Sequence, residues 1–226
     1  PEKVAHPPRW TFQSARRFAG HGMVALAVQY RLSKGTTTPI DALADVCAAF
    51  RWAREKAPAL GVDSGRLAEY GVSAGGHLLA ATATVGCPEA ETEGGAAHSA
   101  TPDAMLLWSP ALDVARDGWF QRKLQGQAQA AAYSPAQHVR ATTPRTSIVH
   151  GATDTLTPLS GAERYCEALR AQGAACELNV YEGVGHLLTR NLDHQESNFD
   201  PDPEAVADEA QRHLAFLRAH GIIGGE

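Results

Sequence analysis

The chain has 226 residues, 44% apolar and 20% charged, an ordinary globular composition long enough to bury one sizeable core. Its formal charge of −5 argues against nucleic acid or an anionic membrane surface as a partner. No apolar run reaches bilayer length and no signal-peptide pattern opens the chain, so a cytoplasmic location is expected.

Residues 1–9 carry three prolines and no periodicity, and read as an arm. Residues 10–19 read as a helix with Ala15, Phe18 and Ala19 on one face, stopped by Gly20-His21-Gly22. Residues 23–28 (Met-Val-Ala-Leu-Ala-Val) form an apolar run without alternation, the pattern of a parallel strand covered on both faces. Thr38 as N-cap, Pro39 at the first helical position and Asp41 in the first turn open a helix. Its stripe is Leu43, Cys47 and Phe50, and it ends before Pro58.

Residues 66–69 read as a buried strand and residues 78–83 as a helix lined with small apolar side chains. Between them stands Gly71-Val72-Ser73-Ala74-Gly75, the Gly-x-Ser-x-Gly of a nucleophile elbow. A strand that turns at once into a helix strains the serine backbone, and glycines at 71 and 75 would relieve collisions on both flanks. The turn lifts the Ser73 hydroxyl above the sheet and aims the Ala74 amide where an oxyanion would form. Alone, the motif could also be a Gly-rich turn that happens to hold a serine.

Residues 86–102 are a polar loop, and residues 104–108 are another apolar strand. Trp119 and Phe120 sit in a short helix within the weakly patterned segment 113–143. A strand over residues 146–150 is followed by Gly151-Ala152-Thr153-Asp154, then by Thr157-Pro158 as a second cap-plus-proline helix start. Residues 178–181 form the last strand, followed by Gly183-Val184-Gly185-His186, a loop, and a terminal helix bearing Val206, Ala210, Leu214, Phe216 and Leu217. Strands alternate with helices and there are no internal repeats. The expected fold is therefore α/β, a mostly parallel sheet with helices on both faces, in one domain over residues 1–226.

The four cysteines show no C-x-x-C and the ten histidines do not cluster, so no metal site is expected. Cys166 and Cys176 fall close enough to pair, but buried free thiols are the expected state.

A serine hydroxyl needs an imidazole to take its proton, and the imidazole needs a carboxylate to fix its tautomer. In parallel α/β sheets such groups come from loops at the carboxyl ends of strands. Asp154 and His186 meet that condition, and the order Ser73, Asp154, His186 is that of an α/β-hydrolase triad. Asp63 precedes its strand, and Asp113 and Asp117 read as caps or surface residues. His77 and His150 read as structural.

With these residues in place, the chain resembles α/β-hydrolase-fold esterases, especially the acetyl/feruloyl-esterase-like and hormone-sensitive-lipase-like branch. The resemblance is carried by residues 25–32 (Ala-Leu-Ala-Val-Gln-Tyr-Arg-Leu), 60–63 (Leu-Gly-Val-Asp), 71–77, 151–154 and 183–186. It implies hydrolysis of small carboxylic esters through an acyl-enzyme without a cofactor. Ser73 would be the nucleophile, His186 base then acid, Asp154 its orienter and the Ala74 amide an oxyanion donor. Relatives carry a strand ending in His-Gly-Gly-Gly before the first helix, and this sequence lacks it. That leaves the oxyanion site incomplete and implies an N-terminally truncated version of the fold, with a scaffold of little turnover as the alternative.

Two expectations follow for the gap: residues 23–28 and 66–72 pair directly in a five-stranded sheet, or two chains associate as a homodimer through their strand edges. Trp108 and Trp119 are candidate walls of a small acyl pocket, though core positions explain them equally. The short segment 113–143 and the lack of a long lid favour C2 to C4 esters.

Overall fold

The structure, a computed structural model, describes residues 9–88 and 99–224. The expected arm and much of the polar loop lie outside those residues.

Four parallel strands are laid down in chain order, β1 (Ala68–Val72), β2 (Ala104–Trp108), β3 (Arg145–Gly151) and β4 (Cys176–Tyr181). Helices cover both faces, so Met105, Leu106 and Leu107 of β2 and Ile148 and Val149 of β3 are all buried. On one face α3 (Ala74–Thr84) and α5 (Leu159–Ala171) bury Ala80, Ala162, Tyr165 and Leu169 against Met105, Leu107 and Ile148. On the other, α1 (Arg9–Ala19) and α6 (Pro203–Ala219) bury Phe18, Leu214, Phe216 and Leu217 against Ala104 and Leu106. Helix α2 (Pro39–Lys56) packs outside α3 through Leu43, Val46 and Cys47. Arg17 on α1 donates to Glu209 on α6 at 3.3 and 3.4 Å, and His213 lies 3.0 Å from the same carboxylate, tying the two helices together.

The helix starts follow their local chemistry. Asp41 Oδ2 accepts from the Thr38 amide at 2.8 Å as α2 begins at Pro39. Asp117 caps the short α4 (Gly118–Lys123), accepting from the amides of Trp119 and Phe120, and Asp202 caps α6 through Glu204 and Ala205. The proline start of α5 is one residue later than its pattern suggests: Pro158 is the N-cap, and Thr157 is engaged elsewhere.

Two expectations are overturned. Residues 23–28 form no strand and do not pair with β1, so the sheet has four strands, not five. A strand exists only through its neighbour's hydrogen bonds, and no described segment pairs with this run or with the outer edge of β1. Between them lies a cavity of about 480 Å³, lined by residues from Met23 to Tyr30, by β1 and by Ser73. Val24, Leu26 and Val28 are exposed at 51%, 46% and 41%, so the run stands largely in solvent.

The free-thiol reading is overturned as well. Cys47 pairs with Cys87 and Cys166 with Cys176, with Cα separations of 5.9 and 5.4 Å. The first bridge fastens α2 to the end of α3, and the second fastens α5 to β4.

One buried group opposes the fold. Glu69 on β1 is buried and neither carboxyl oxygen has a hydrogen-bond partner. Burial pushes its pKa well above the carboxylate range, against the opposing pull of Arg54. A carboxyl whose folded-state pKa is raised costs stability as pH climbs past its unfolded value, because the unfolded chain ionises first. Glu69→Met should therefore raise the unfolding temperature, by a margin that grows between pH 5 and pH 8. Thermal unfolding at both ends of that range checks the sign.

Candidate active site

Strand β1 delivers its last residue straight into α3, and the turn between them consists of Ser73 alone. Ser73 adopts φ 53° and ψ −118°, a strained conformation for a residue with a Cβ. The Ser73 amide donates to Trp108 O at 2.9 Å and its carbonyl accepts from His77 at 3.1 Å, so strand and helix bonds hold the strain from both sides.

The space for this turn comes from glycines that differ in part from the expectation. A Cβ on Gly71 would stand 2.9 Å from Gly76 Cα and collide with the Leu79 side chain. A Cβ on Gly76 would lie 2.8 Å from Pro110 Cβ. At Gly75 the nearest atom is Tyr30 Oη at 3.9 Å, an ordinary van der Waals contact that a Cβ would tolerate. The close packing is therefore between Gly71 and Gly76, one turn down the helix, and Gly75 is not needed for it.

Ala74 is the first residue of α3, so its amide is among those at the helix start without an intrahelical partner. It is exposed and borders the same cavity as Ser73. The positive end of the helix favours an anion there.

Strands β3 and β4 end beside β1 and β2 and bring the other two groups in. Ser73 Oγ lies 2.9 Å from His186 Nε2, and His186 Nδ1 lies 2.8 Å from Asp154 Oδ2. In the tautomer this geometry requires, Nδ1–H donates to the carboxylate and Nε2 accepts from the serine hydroxyl. Asp154 is buried and saturated with donors. Its Oδ1 accepts from the amides of Leu156 and Thr157, both at 2.9 Å, and Oδ2 also accepts from Thr157 Oγ1 at 2.9 Å. Burial pushes the Asp154 pKa up, but the His186 hydrogen bond and charge, with the Thr157 amide and His150, outweigh it and leave the group below its ordinary value. The carboxylate is thus ionised beside the imidazole near neutral pH.

Supporting residues complete the constellation. His150 Nε2 donates to Thr157 O at 2.6 Å and lies 3.4 Å from Asp154 Oδ2; burial lowers its pKa, so it stands neutral beside the acid. The loop after β4 carries two consecutive left-handed residues, Leu187 (φ 55°) and Leu188 (φ 59°). The Leu187 amide donates to Ser109 Oγ at 3.1 Å. Gln195, also buried, accepts from the His186 amide at 2.8 Å. His77 is structural as expected, bonded through Nδ1 to Ala111 O at 2.9 Å, with burial lowering its pKa to about 4. Asp113 and Asp117 serve local turns and caps.

Neither tryptophan borders the cavity that reaches Ser73. Trp108 packs with Val149, Val184 and Leu188 toward α6, and Trp119 is 57% exposed beside Ser33, Lys34 and Gly35 in a separate cleft. Thr157 had a signal in the sequence only as a cap before Pro158, and its grip on Asp154 had none. Ser109 and Gln195 had none, because only the fold brings them to the site. Among the described residues no cluster of histidine, cysteine and carboxylate side chains could hold a metal ion.

A parallel sheet with helices on both faces, with Ser73 after β1, Asp154 after β3 and His186 after β4, defines an α/β-hydrolase fold. Residues 8–169 match the BD-FAE family, and the chain belongs to that family. It is 28% identical to the esterase LipC of Mycobacterium tuberculosis over 75% of this chain and 46% of that one. It is also 28% identical to an acetylxylan esterase of Xylanibacter ruminicola, over 77% of this chain and 36% of that one. The chain thus spans less than half the length of these curated relatives. Among solved structures, Thermogutta terrifontis esterase 2 phosphoramylated by tabun is similar at a TM-score of 0.81 and 32% identity, covering 95% of this chain and 78% of that one. The same esterase bound to propionate is similar at 0.81 and 31%.

The steric division among the glycines has a direct test. Gly75→Ala should leave the unfolding temperature unchanged or raised, since alanine suits a helix better. Gly76→Ala and Gly71→Ala should each lower it by several degrees.

Proposed function

We propose that this protein is a serine carboxylesterase acting on short-chain acyl esters through an acyl-enzyme, as one domain. The observation that carries the reading is the continuous relay from Ser73 Oγ through His186 to Asp154, at 2.9 and 2.8 Å. Ser73 Oγ attacks the ester carbonyl carbon while His186 Nε2 takes its proton. The carbonyl electron pair moves to oxygen, toward the Ala74 amide. The ionised Asp154 offsets the imidazolium charge without taking the proton. Collapse of the tetrahedral intermediate breaks the bond to the alcohol, which leaves with the proton from Nε2. Water then repeats the sequence on the acyl-enzyme, returning the acid and free Ser73.

The short-acyl reading gains support from Thermogutta terrifontis esterase 2, whose structures hold propionate or butyrate. The organophosphorus adducts of that esterase accord with an activated nucleophile in this class. The two disulfides favour an oxidising compartment over the cytoplasm, because reducing pools open such bridges.

Ser73→Ala and His186→Ala should each abolish p-nitrophenyl acetate hydrolysis with the fold retained, and Asp154→Asn should lose less. Labelling by a fluorophosphonate probe should require Ser73. Unchanged turnover in Ser73→Ala would sink the reading, and a rate optimum at C10 or longer would sink its short-acyl part.

The cavity beside β1 favours one qualification. Among the described residues, Ala74 is the oxyanion donor this reading assigns, and loss of one donor typically costs about 10²–10³ in kcat. A slow or silent scaffold is the second reading. A glycine-ended strand fused ahead of α1, seated between β1 and residues 23–28, should raise kcat by up to that factor. The open edge of β1 is also where a second copy would pair as a homodimer. A chain that already turns over hundreds of esters per second would show that another group completes the hole.

A further inference from the structure

The loops that carry the acid and the base share no strand, yet one side chain spans both. Gln195 lies in the stretch between β4 and α6 and is 2% exposed. Its Oε1 accepts from the His186 amide at 2.8 Å and from the Thr155 amide at 3.2 Å. Its Nε2 donates to Thr153 O at 3.0 Å. Thr153 and Thr155 flank Asp154, so one amide grips the acid turn on both sides and the base by its own backbone. A Cβ on Gly185 would collide with the Gln195 amide group, so the chain before His186 packs directly on this side chain.

We infer that Gln195 is the positioning residue that fixes His186 against Asp154, setting the distance and tilt of the imidazole. The inference rests on the esterase reading above. Leu187 and Leu188 hold φ of 55° and 59° directly after His186, and strained backbone persists only where its surroundings over-determine it. The Leu187 amide bonded to Ser109 Oγ fixes the loop on the side of β2. Gln195 fixes it on the side of the acid turn. The side chain suits the task chemically. It offers an acceptor with two lone pairs for two amides and a donor for one carbonyl, and it brings no charge near the carboxylate.

Replacing it by leucine takes the partner from the buried His186 amide and from the Thr155 amide and Thr153 carbonyl at the edge of the site, and frees the histidine loop. A displacement of about 1 Å at a reacting group can cost about 10²-fold. Gln195→Leu is therefore expected to lower kcat on p-nitrophenyl acetate by about 10- to 100-fold with KM within twofold. Gln195→Glu keeps an oxygen for both amides but, when ionised, loses the donor to Thr153 O and puts a charge near Asp154, so it should recover part of that loss, and more of it relative to wild type as pH falls. Unfolding temperatures are measured first, and Gln195→Ala replaces the leucine variant if that one does not fold.

A second readout is independent of turnover. The His186 Nδ1–H proton, hydrogen-bonded to a carboxylate, gives a far-downfield proton NMR signal assignable by its loss in His186→Ala. That signal should shift or broaden in Gln195→Leu and return in part in Gln195→Glu. A wild-type chain without Ser73-dependent turnover would remove the esterase reading, while the NMR signal would still decide the role of Gln195. Equal kcat in Gln195→Leu and wild type, or an unmoved imidazole signal, would overturn the inference. So would a loss that Gln195→Glu fails to recover in part at any pH.

Discussion

The site depends on the near-contact of two glycines. Gly71, the fourth residue of β1, and Gly76, the third of α3, approach so closely that a Cβ on the first would lie 2.9 Å from Cα of the second. Only with both Cβ atoms absent can α3 begin at the residue after Ser73 and lie down on the sheet at once. The strained φ of 53° at Ser73 is a consequence, since a single residue must absorb the whole change of direction. The helix start at Ala74, the exposed hydroxyl and the first-turn amide then follow without further devices. Pro110, packed on Gly76 from the start of the segment after β2, closes the arrangement from the third side.

Asp154 is the electrostatic counterpart of that steric constraint. A buried carboxylate is costly unless donors surround it, and this one has two amides, a hydroxyl and an imidazole. Those donors both stabilise the ionised form and fix where it points. Thr157 does double work, as its amide and hydroxyl grip the carboxylate while its carbonyl accepts from His150. This explains why Thr157 does not cap α5, which begins one step later behind Pro158. Local helix chemistry yielded to the acid because an unpaired buried charge costs more than a missing cap, which is worth about 1 kcal/mol.

The sequence made the parts governed by local rules legible. Residues 104–108 read correctly as a strand to the residue, because their apolar run without alternation has strands to pair with on both sides and helices on both faces. Ser73, Asp154 and His186 meet because such a sheet brings groups from separate strands to its carboxyl edge. What stayed hidden was non-local. Nothing in the spacing of Cys47 and Cys87, 40 residues apart, says that α2 and the end of α3 meet. Gly75 completes the familiar motif, yet it is Gly76 that the packing needs, a distinction visible only once Pro110 is in place. Gln195 reads as one more polar loop residue until the acid turn and the histidine loop enclose it.

The failed strand at residues 23–28 teaches the most about cost. A gap in the middle of a sheet is prohibitive if its backbone groups are buried, at about 1–3 kcal/mol for each orphan. That reckoning assumes a dry gap. Here Val24, Leu26 and Val28 are each close to half exposed, so water reaches the run and can satisfy its donors and acceptors. The cost changes kind: hydrogen bonds are exchanged with water at little net loss, and what is forfeited is apolar burial, at about 25 cal/mol per Å². Beneath the cavity, Leu106 on β2 and Phe18 on α1 stay buried against α6, so the core on that face does not depend on the missing neighbour. The four strands pair in parallel without interruption, and the loops carrying Ser73, Asp154 and His186 spring from β1, β3 and β4. The apolar run thus retains the pattern of a strand without the neighbour that would make it one. Ser73, Asp154 and His186 are held by the part of the sheet that needs no such neighbour.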